Sequence, residues 1–289
     1  MKEITVLSGK GGTGKTTITA ALAAIAKGAV YCDSDVDAAD LHLLFHPEIE
    51  KEYIYQGAWI MNLNEQKCSQ CGICSNNCRF DAIHQNENGS FYINPFQCEG
   101  CRLCERVCPE KAISSSRSSN NKWFVSKTRF GTLVHEKMGA GEENSGKLVT
   151  IVRNKTKEIA VEQNLNYIIN DGPPGIGCAT IASLTGTSVV LIIIEPTKSG
   201  LHDAKRLIGL IRNFDLPSFA IINKSDIHED MTNQIEAYLN KEKIPVLGKI
   251  PFDKAFVEAM IQGKTIVEYD SDSSLSQQLT KFWEILATD

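Results

Sequence analysis

Short apolar runs alternate with amphipathic segments along most of the chain, and their spacing predicts strands that alternate with helices. Residues 4–8 and 29–32 are apolar runs, and residues 15–26 between them have the length and the Ala and Leu content of a helix. Residues 189–194 form an uninterrupted apolar run, as expected for a strand that is buried on both faces. The same pattern predicts strands at 167–170, 219–222 and 246–250 and helices at 201–214 and 231–241. We therefore predict an α/β fold with a mostly parallel sheet and helices on both faces.

Most of the cysteines fall in one segment that interrupts this alternation. Eight of the ten lie within residues 68–108, and this segment contains an internal repeat, because residues 67–83 match residues 97–113 at an offset of 30 positions. Each copy has the spacing Cys-x2-Cys-x2-Cys-x3-Cys, and a Ser- and Asn-rich stretch follows the second copy. The predicted organisation is a small inserted domain at 62–116 within a larger α/β domain at 1–61 and 117–289.

Composition and charge narrow the class of protein. The chain has 289 residues, of which 42% are hydrophobic and 22% are charged, and its formal net charge is −5. These values are typical of a soluble globular protein and lack the basic character of nucleic-acid-binding modules. No run approaches the ~20 apolar residues of a membrane span, and the first residues lack the apolar core of a signal peptide. We expect a cytoplasmic protein with reduced thiols, no nucleic-acid partner and no membrane association, in which the clustered cysteines bind metal.

A phosphate-binding loop lies between the first predicted strand and the first predicted helix. The sequence Gly-Lys-Gly-Gly-Thr-Gly-Lys-Thr fits the pattern Gly, four residues, Gly-Lys-Ser/Thr. Its glycines let backbone N–H groups point at phosphate oxygens, and the helix N-terminus adds its positive end. Lys15 would reach the β- and γ-phosphates, and the Thr16 hydroxyl would bind Mg²⁺. The predicted nucleotide contacts here are Gly9, Lys10, Gly11, Gly12, Thr13, Gly14, Lys15, Thr16 and Thr17.

A second lysine in this loop points to a family. Lys10, in Lys-Gly-Gly-x-Gly-Lys-Thr-Thr, resembles the deviant Walker A motif of the MinD/ParA/Mrp superfamily of P-loop ATPases, which includes the nitrogenase iron protein. The resemblance implies a nucleotide-dependent homodimer in which Lys10 reaches the partner's phosphates. It also implies that Asp35 orients the attacking water and that Asp33 supports the metal. Asp171, which precedes Gly-Pro-Pro-Gly, would hold Mg²⁺ as the Walker B residue.

The base-binding residues allow two interpretations. Asn223-Lys-Ser-Asp226 follows a predicted strand and matches the guanine signature of GTPases, in which Asp226 would pair with the base. The superfamily resemblance implies instead that Asn223 holds adenine and that Pro251, in Ile-Pro-Phe-Asp, belongs to a second base-contacting loop. We favour ATP with Mg²⁺ over GTP.

The two cysteine repeats resemble those of bacterial two-cluster ferredoxins, in which the fourth cysteine of each run binds the other cluster. The resemblance implies a small α+β ferredoxin domain with two 4Fe–4S clusters. Structural zinc is the alternative, but zinc ribbons use two pairs of cysteines rather than two tandem quartets. The implied ligands are Cys68, Cys71, Cys74 and Cys108 for one cluster and Cys78, Cys98, Cys101 and Cys104 for the other.

Three further features carry weaker predictions. Cys178 lies seven residues after Asp171, and it is either a small core residue or, as in the nitrogenase iron protein, a thiol at the dimer axis. Apolar residues at helical spacing within 275–286 predict a helix that packs on the core rather than on a membrane. The Gly-rich loop at 139–146 precedes a predicted helix with Asn144 or Ser145 as its N-cap, and it is either a capped loop or a partner-docking loop.

Together these features predict an ATPase whose nucleotide state controls electron transfer through two 4Fe–4S clusters to a redox or metallocluster partner protein. One alternative is an Mrp-like ATPase that assembles or delivers an iron–sulfur or other metal cofactor. A third interpretation is a MinD-like positioning ATPase. A complete ferredoxin ligand set holds its clusters tightly, which favours electron transfer over delivery.

Overall fold

The computed structural model describes residues 1–35, 39–139 and 145–288. The chain divides into two compact units. The first unit contains Met1–Tyr53, Trp123–Lys137 and the part of the chain from Ser145 onwards, and Ile54–Lys122 make up most of the second unit. The segment 62–116 that we predicted as an insertion lies within the second unit. The proposed N-cap Asn144 and most of the loop at 139–146 lie outside the described residues.

Strands and helices follow one another along the described part of the chain. The strands are β1 (Lys2–Ser8), β2 (Ala29–Asp33), β3 (Glu48–Tyr55), β4 (Trp59–Leu63), β5 (Ile83–Gln85), β6 (Phe91–Ile93), β7 (Ile113–Arg117), β8 (Asn121–Thr128), β9 (Gly131–Lys137), β10 (Tyr167–Pro174), β11 (Val189–Ile194), β12 (Ser218–Asn223) and β13 (Val246–Ile250). The helices are α1 (Lys15–Ile25), α2 (Leu41–Phe45), α3 (Ile73–Asn76), α4 (Leu103–Val107), α5 (Ser145–Glu162), α6 (Cys178–Leu184), α7 (Lys198–Arg212), α8 (Glu229–Lys241), α9 (Ala255–Ile261), α10 (Ile266–Tyr269) and α11 (Ser274–Thr288), with a 3₁₀ turn at Glu65–Lys67.

A nine-stranded sheet has the order β13-β12-β11-β1-β10-β2-β9-β8-β3. The pairs from β13 to β9 in this order are parallel, which confirms the predicted mostly parallel sheet. The apolar run of β11 is buried on both faces as predicted. Alternate residues enter different cores, because Leu191 packs with α1 and α11 on one face while Ile192 packs with α7 and α8 on the other.

Helix α11 packs on the first of these cores. Its apolar residues Leu279, Phe282 and Leu286 are buried, and the ring of Trp283 lies 5.1 Å from that of Tyr167. The prediction of core packing is therefore confirmed, because the apolar face of this helix is already covered by the sheet. Within the described part of the chain, no helix has both the length and the apolar character needed to cross a bilayer.

The second unit repeats its backbone conformation at the offset of 30 residues seen in the sequence. It contains two antiparallel strand pairs, β4 with β7 and β5 with β6, together with the short helices α3 and α4. Equivalent residues share left-handed backbone angles, which non-glycine residues adopt at an energetic cost. These pairs are Gln70 and Gly100 (φ 58° and 59°), Gly72 and Arg102 (φ 72° and 63°), and Asp81 and Lys111 (φ 48° and 49°). The sequence repeat is therefore also a structural repeat.

Candidate nucleotide site and cysteine pockets

The phosphate-binding loop connects β1 to α1, and α1 begins at Lys15 as expected for this motif. Gly14 has φ 89°, and a Cβ atom there would lie 2.3 Å from the Nδ2 of Asn223. That amide nitrogen donates a hydrogen bond of 2.7 Å to the carbonyl oxygen of Thr13. A glycine is therefore required because the side chain from the end of β12 packs directly on the loop.

A cavity of about 400 Å³ opens at the loop, at the carboxyl ends of the parallel strands. It brings together most of the predicted nucleotide residues, namely Gly11, Gly12, Thr13, Gly14, Lys15, Thr16, Thr17, Asp35, Asn223 and Pro251. Its apolar wall consists of Phe252, Phe256, Val257 and Met260. The sequence pattern did not identify this wall, and the only signal for it was the Phe that follows Pro251.

The charged centre of the site is Lys15, whose ammonium group lies 3.0 Å from Asp171 and 3.2 Å from Asp35. Burial would lower the pKa of Lys15, but the carboxylates of Asp171, Asp35 and Asp33 outweigh it and raise this pKa. The Thr16 hydroxyl donates to Oδ2 of Asp171 at 2.7 Å. Hydroxyl and carboxylate oxygens are the donors that Mg²⁺ prefers, so this pair fits the metal.

Asp33 and Asp35 take different places. Asp35 lines the cavity, whereas Asp33 at the end of β2 is fully buried and is absent from the residues that line it. One carboxylate oxygen of Asp33 accepts the N–H of Asp35 at 3.2 Å and the other accepts the N–H of Leu41 at 3.0 Å. Asp33 thus fixes the backbone at Asp35 and at Leu41. Its predicted support of the metal stays a prediction.

Lys10 is held by residues of its own chain. Its ammonium group lies 2.7 Å from Oε2 of Glu195 and 3.2 Å from the Thr197 hydroxyl. The second Glu195 oxygen lies 2.9 Å from the ammonium group of Lys224, which also donates to the carbonyl of Gly12 at 3.0 Å. The sequence pattern singled out neither Glu195 nor Lys224 as a partner of the loop, because these contacts join residues that are far apart in the chain.

The acid of the guanine-like signature bonds to the backbone. Oδ1 of Asp226 accepts the N–H of Phe252 at 2.6 Å, and Asp226 is absent from the residues that line the cavity. This contact ties the loop that carries Pro251 to the end of β12. In this arrangement the carboxylate organises the wall of the cavity rather than pointing into it.

The eight repeat cysteines are all free thiols and divide between two pockets of the second unit. The division follows the crossed pattern, since the fourth cysteine of each repeat lines the pocket of the other repeat. One pocket is lined by Cys68, Cys71, Cys74 and Cys108, and the other by Cys78, Cys98, Cys101 and Cys104. Among the described residues, no group of three or more His, Cys, Asp or Glu is arranged to hold a metal ion. The assignment of the thiols to clusters stays a prediction.

The two crossing cysteines have equivalent surroundings. The Sγ of Cys78 accepts the N–H of Ala82 at 3.3 Å, and the Sγ of Cys108 accepts the N–H of Ala112 at 3.3 Å. Where a cluster is bound, backbone N–H donors to sulfur tune its reduction potential. Cysteine is the ligand type of iron–sulfur clusters, and the presence of clusters in these pockets stays a prediction.

The two remaining cysteines differ in exposure. Cys32 is fully buried in β2, and burial raises the pKa of its thiol. Cys178 is exposed at the start of α6, so the interpretation of Cys178 as a core residue is wrong. Its strand-to-helix turn places it at the surface rather than against the sheet. A role at a dimer axis stays a prediction.

The fold and the loop define a P-loop nucleotide-binding protein. The sequence profile described as CbiA: CobQ/CobB/MinD/ParA nucleotide binding domain matches residues 4–266. The chain therefore belongs to this family, and it is a MinD/ParA-type nucleotide-binding ATPase.

Relatives support this placement over the whole chain. The uncharacterized protein MJ0578 of Methanocaldococcus jannaschii is 32% identical over 291 residues, covering 98% of this chain and 96% of the relative. The septum site-determining protein MinD of Helicobacter pylori is 22% identical over 295 residues, covering 95% and 87%. A shorter match, 40% identical over 55 residues, links 19% of this chain to 64% of the pyruvate synthase subunit PorD of M. jannaschii.

Solved structures agree on the fold. MinD in the MinC:MinD cell division complex of Aquifex aeolicus superimposes with a TM-score of 0.59 at 22% identity, covering 100% of this chain and 97% of that one. The MinD of Pyrococcus horikoshii, complexed with Mg-ADP, also gives 0.59, at 18% identity and with 99% and 96% covered. At these identities the likeness establishes the fold.

Proposed function

We propose that the chain binds and hydrolyses ATP with Mg²⁺ and dimerises when ATP is bound. The observation that carries this proposal is the contact of Lys15 and Thr16 with Asp171, with Asp35 beside them. Thr16 and Asp171 would hold Mg²⁺, which neutralises charge on the phosphates. Lys15 would bind the β- and γ-phosphates, and Asp35 would orient the attacking water. The Mg-ADP named for the P. horikoshii relative supports the same ligand here.

We infer that the base is adenine. Phe252, Phe256 and Met260 offer an apolar wall for a purine ring. Asp226 is engaged by the N–H of Phe252, so the carboxylate that reads guanine in GTPases already has a structural bond. Asn223 and Pro251 line the same cavity and would contact the base and sugar.

The second unit would carry two 4Fe–4S clusters. The observation that supports this is the division of eight thiols into two pockets of four, with Cys78 and Cys108 exchanged between the repeats. The clusters would supply one-electron chemistry when bound. The 55-residue match to a subunit of pyruvate synthase is consistent with a segment that serves a multi-subunit enzyme.

The order of elements along the chain suggests how nucleotide and clusters would be coupled. Along the chain, Asp33 and Asp35 precede α2 and β3, and β3 leads into the second unit, so a change at the nucleotide would have a short path along the chain towards the cysteines. We propose that ATP binding and hydrolysis control electron transfer from the clusters to a partner metalloprotein. The alternative is that the nucleotide site controls delivery of a cluster to an apoprotein.

A MinD-like positioning role is the second candidate. The full-length likeness to MinD proteins favours it, and it needs only the nucleotide site. The apolar residues Leu279, Phe282 and Leu286 of α11 are buried in the core, so they are not available for membrane contact.

Anaerobic purification followed by a spectroscopic titration tests the proposed function. We expect about eight iron atoms per chain. In a redox titration followed by electron paramagnetic resonance, the reduction potential of the clusters should shift when Mg-ATP replaces Mg-ADP. The control is Lys15→Ala, which should keep the iron and lose the shift. Titrations that are identical with both nucleotides would contradict nucleotide control of electron transfer. The MinD-like positioning role would then be the remaining candidate. Transfer of iron to an apoferredoxin on ATP addition would favour delivery.

A further inference from the structure

Glu195 stands at the junction of three segments that meet under the nucleotide cavity. It follows the last residue of β11 and contacts Lys10 from the phosphate-binding loop and Lys224 from the end of β12. We call these contacts, together with the hydrogen bond from Lys10 to Thr197, the Glu195 bridge. The sequence motifs of the site include Lys10 but assign no role to Glu195.

The bridge is built from charged groups that are largely shielded from solvent. The side chains of Lys10, Glu195 and Lys224 are 27%, 16% and 26% exposed. Burial would raise the pKa of Glu195, but the hydrogen bonds from Lys10 and Lys224 outweigh it and lower this pKa. Glu195 is therefore a carboxylate with two cations on its two oxygens.

The two cations have different second contacts. Lys224 also donates to the carbonyl of Gly12, so it would stay beside the loop if Glu195 were removed. Among the described residues, Lys10 has Thr197 as its other side-chain partner, and a neutral hydroxyl holds an ammonium group less strongly than a carboxylate does. Glu195 is thus the main group that holds Lys10 within its own chain.

This position conflicts with the role of Lys10 in the proposed dimer. An ammonium group that contacts Glu195 at 2.7 Å has its charge already paired within its own chain. Before Lys10 can reach the phosphates of a partner, its bond to Glu195 has to break. The free energy of that bond therefore counts against dimer formation in each of the two subunits.

We propose that Glu195 is a positioning residue that retains Lys10 in the monomer, so that ATP-dependent dimerisation requires Lys10 to exchange Glu195 for the partner's nucleotide. This inference rests on the proposed function, because it needs a dimer in which Lys10 acts across the interface. The bond between Glu195 and Lys10 thus raises the dissociation constant of the dimer. When Lys10 leaves, Thr197 and Lys224 remain as polar groups beside Glu195.

The test compares dimer dissociation constants by sedimentation of the full chain with Mg-ATP, using Asp35→Asn, which should slow hydrolysis, as the common background. We expect Glu195→Gln to dimerise about tenfold more tightly, since two bridges no longer have to break. Disruption of the fold would weaken the dimer instead, so a tighter dimer distinguishes retention from a structural role. In a Lys10→Ala background the dimer should be weak, and Glu195→Gln should not tighten it.

Two other results are informative. A wild-type dimer together with a Glu195→Gln dimer that is equal or weaker would overturn the retention of Lys10 and leave the proposed function intact. Wild-type chain that stays monomeric with Mg-ATP would overturn both. Glu195→Asp serves as the conservative variant, and it should restore the wild-type dissociation constant to within about threefold.

Discussion

The hydroxyl of Thr16 donates a hydrogen bond of 2.7 Å to Asp171, across the gap between the start of α1 and the end of β10. Asp171 is fully buried and also contacts Lys15 at 3.0 Å and the Thr19 hydroxyl at 2.9 Å. A single carboxylate therefore orients the lysine and the hydroxyl that the phosphate site needs. Because these side chains preform the site, their replacement should affect nucleotide binding and stability together.

Removal of Lys15 should destabilise the chain as well as abolish nucleotide binding. Lys15→Met would leave the carboxylates of Asp171 and Asp35 buried without their cation, at a cost of ~3 kcal/mol in the free energy of unfolding. Urea unfolding measures the cost, and isothermal titration with Mg-ATP measures the binding. The exposed Lys27→Met is the control, and equal unfolding midpoints for the two variants would contradict the role of Lys15 as a buried counter-ion.

Base preference should be independent of a direct contact from Asp226. Because this carboxylate accepts the N–H of Phe252, Asp226→Ala should loosen the apolar wall and weaken ATP and GTP by similar factors. If Asp226 bonded to guanine, Asp226→Ala would weaken the binding of GTP but not of ATP, since a site built for a hydrogen bond discriminates against the ligand that lacks it. Isothermal titration of both nucleotides distinguishes these outcomes. Selective loss of GTP, or tighter GTP than ATP in the wild type, would refute the adenine assignment.

The crossing of cysteines between repeats can be tested by combining substitutions. Cys71→Ser and Cys108→Ser affect the same pocket, so the double variant should lose no more iron than the single one. Cys71→Ser with Cys78→Ser affects both pockets and should lose about twice as much. Iron and sulfide analysis after anaerobic purification gives the comparison. The reverse pattern would mean that each repeat binds its own cluster.

Two glycines of the repeat should differ in their tolerance of a methyl group. A Cβ at Gly100 would lie 2.6 Å from the carbonyl oxygen of Trp59, whereas a Cβ at Gly72 would meet Phe91 at 3.7 Å. Both have positive φ, so Gly72→Ala should cost ~1 kcal/mol from backbone conformation alone. Gly100→Ala should cost at least ~2 kcal/mol more, because the backbone of β4 has to shift. Urea unfolding followed by cluster absorbance measures both, and similar losses would contradict the predicted clash.

Acid should destabilise the first unit through His135. Its side chain is 7% exposed, and burial, reinforced by the neighbouring His42, lowers the pKa of His135 to about 4. The unfolded chain therefore binds a proton that the folded chain does not, between pH 6.5 and about 4, and stability falls as the pH falls through that window. Between pH 7 and 5 the loss should be about 2 kcal/mol. His135→Gln should remove this slope in urea unfolding, while His202→Gln, which is exposed, should leave it.

The elements that the sequence predicted well are those whose signal is local. The strand at 189–194 is a continuous apolar run, and the phosphate-binding loop requires a strand before it and a helix after it. The cysteines of the two predicted ligand sets line separate pockets, and their binding of clusters stays a prediction. In each case the residues that matter are close in the chain or repeat at a fixed offset.

The features that sequence reasoning missed depend on contacts between distant residues. Glu195 meets Lys10 only because the parallel order of the sheet places β11 beside β1. The apolar wall that includes Phe256 needs the fold of α9 over the loop. A core position was one of the two expectations for Cys178, yet the turn after β10 carries this residue to the surface. Pairings of this kind have no local pattern that would reveal them.

The exchange of Cys78 and Cys108 has a consequence for how the second unit can vary. Because each repeat contributes one thiol to the pocket of the other, deletion of either repeat would remove donors from both pockets. Deletion or replacement of one repeat would therefore also alter the pocket of the other repeat. The two repeats would therefore be kept or lost together, as one unit.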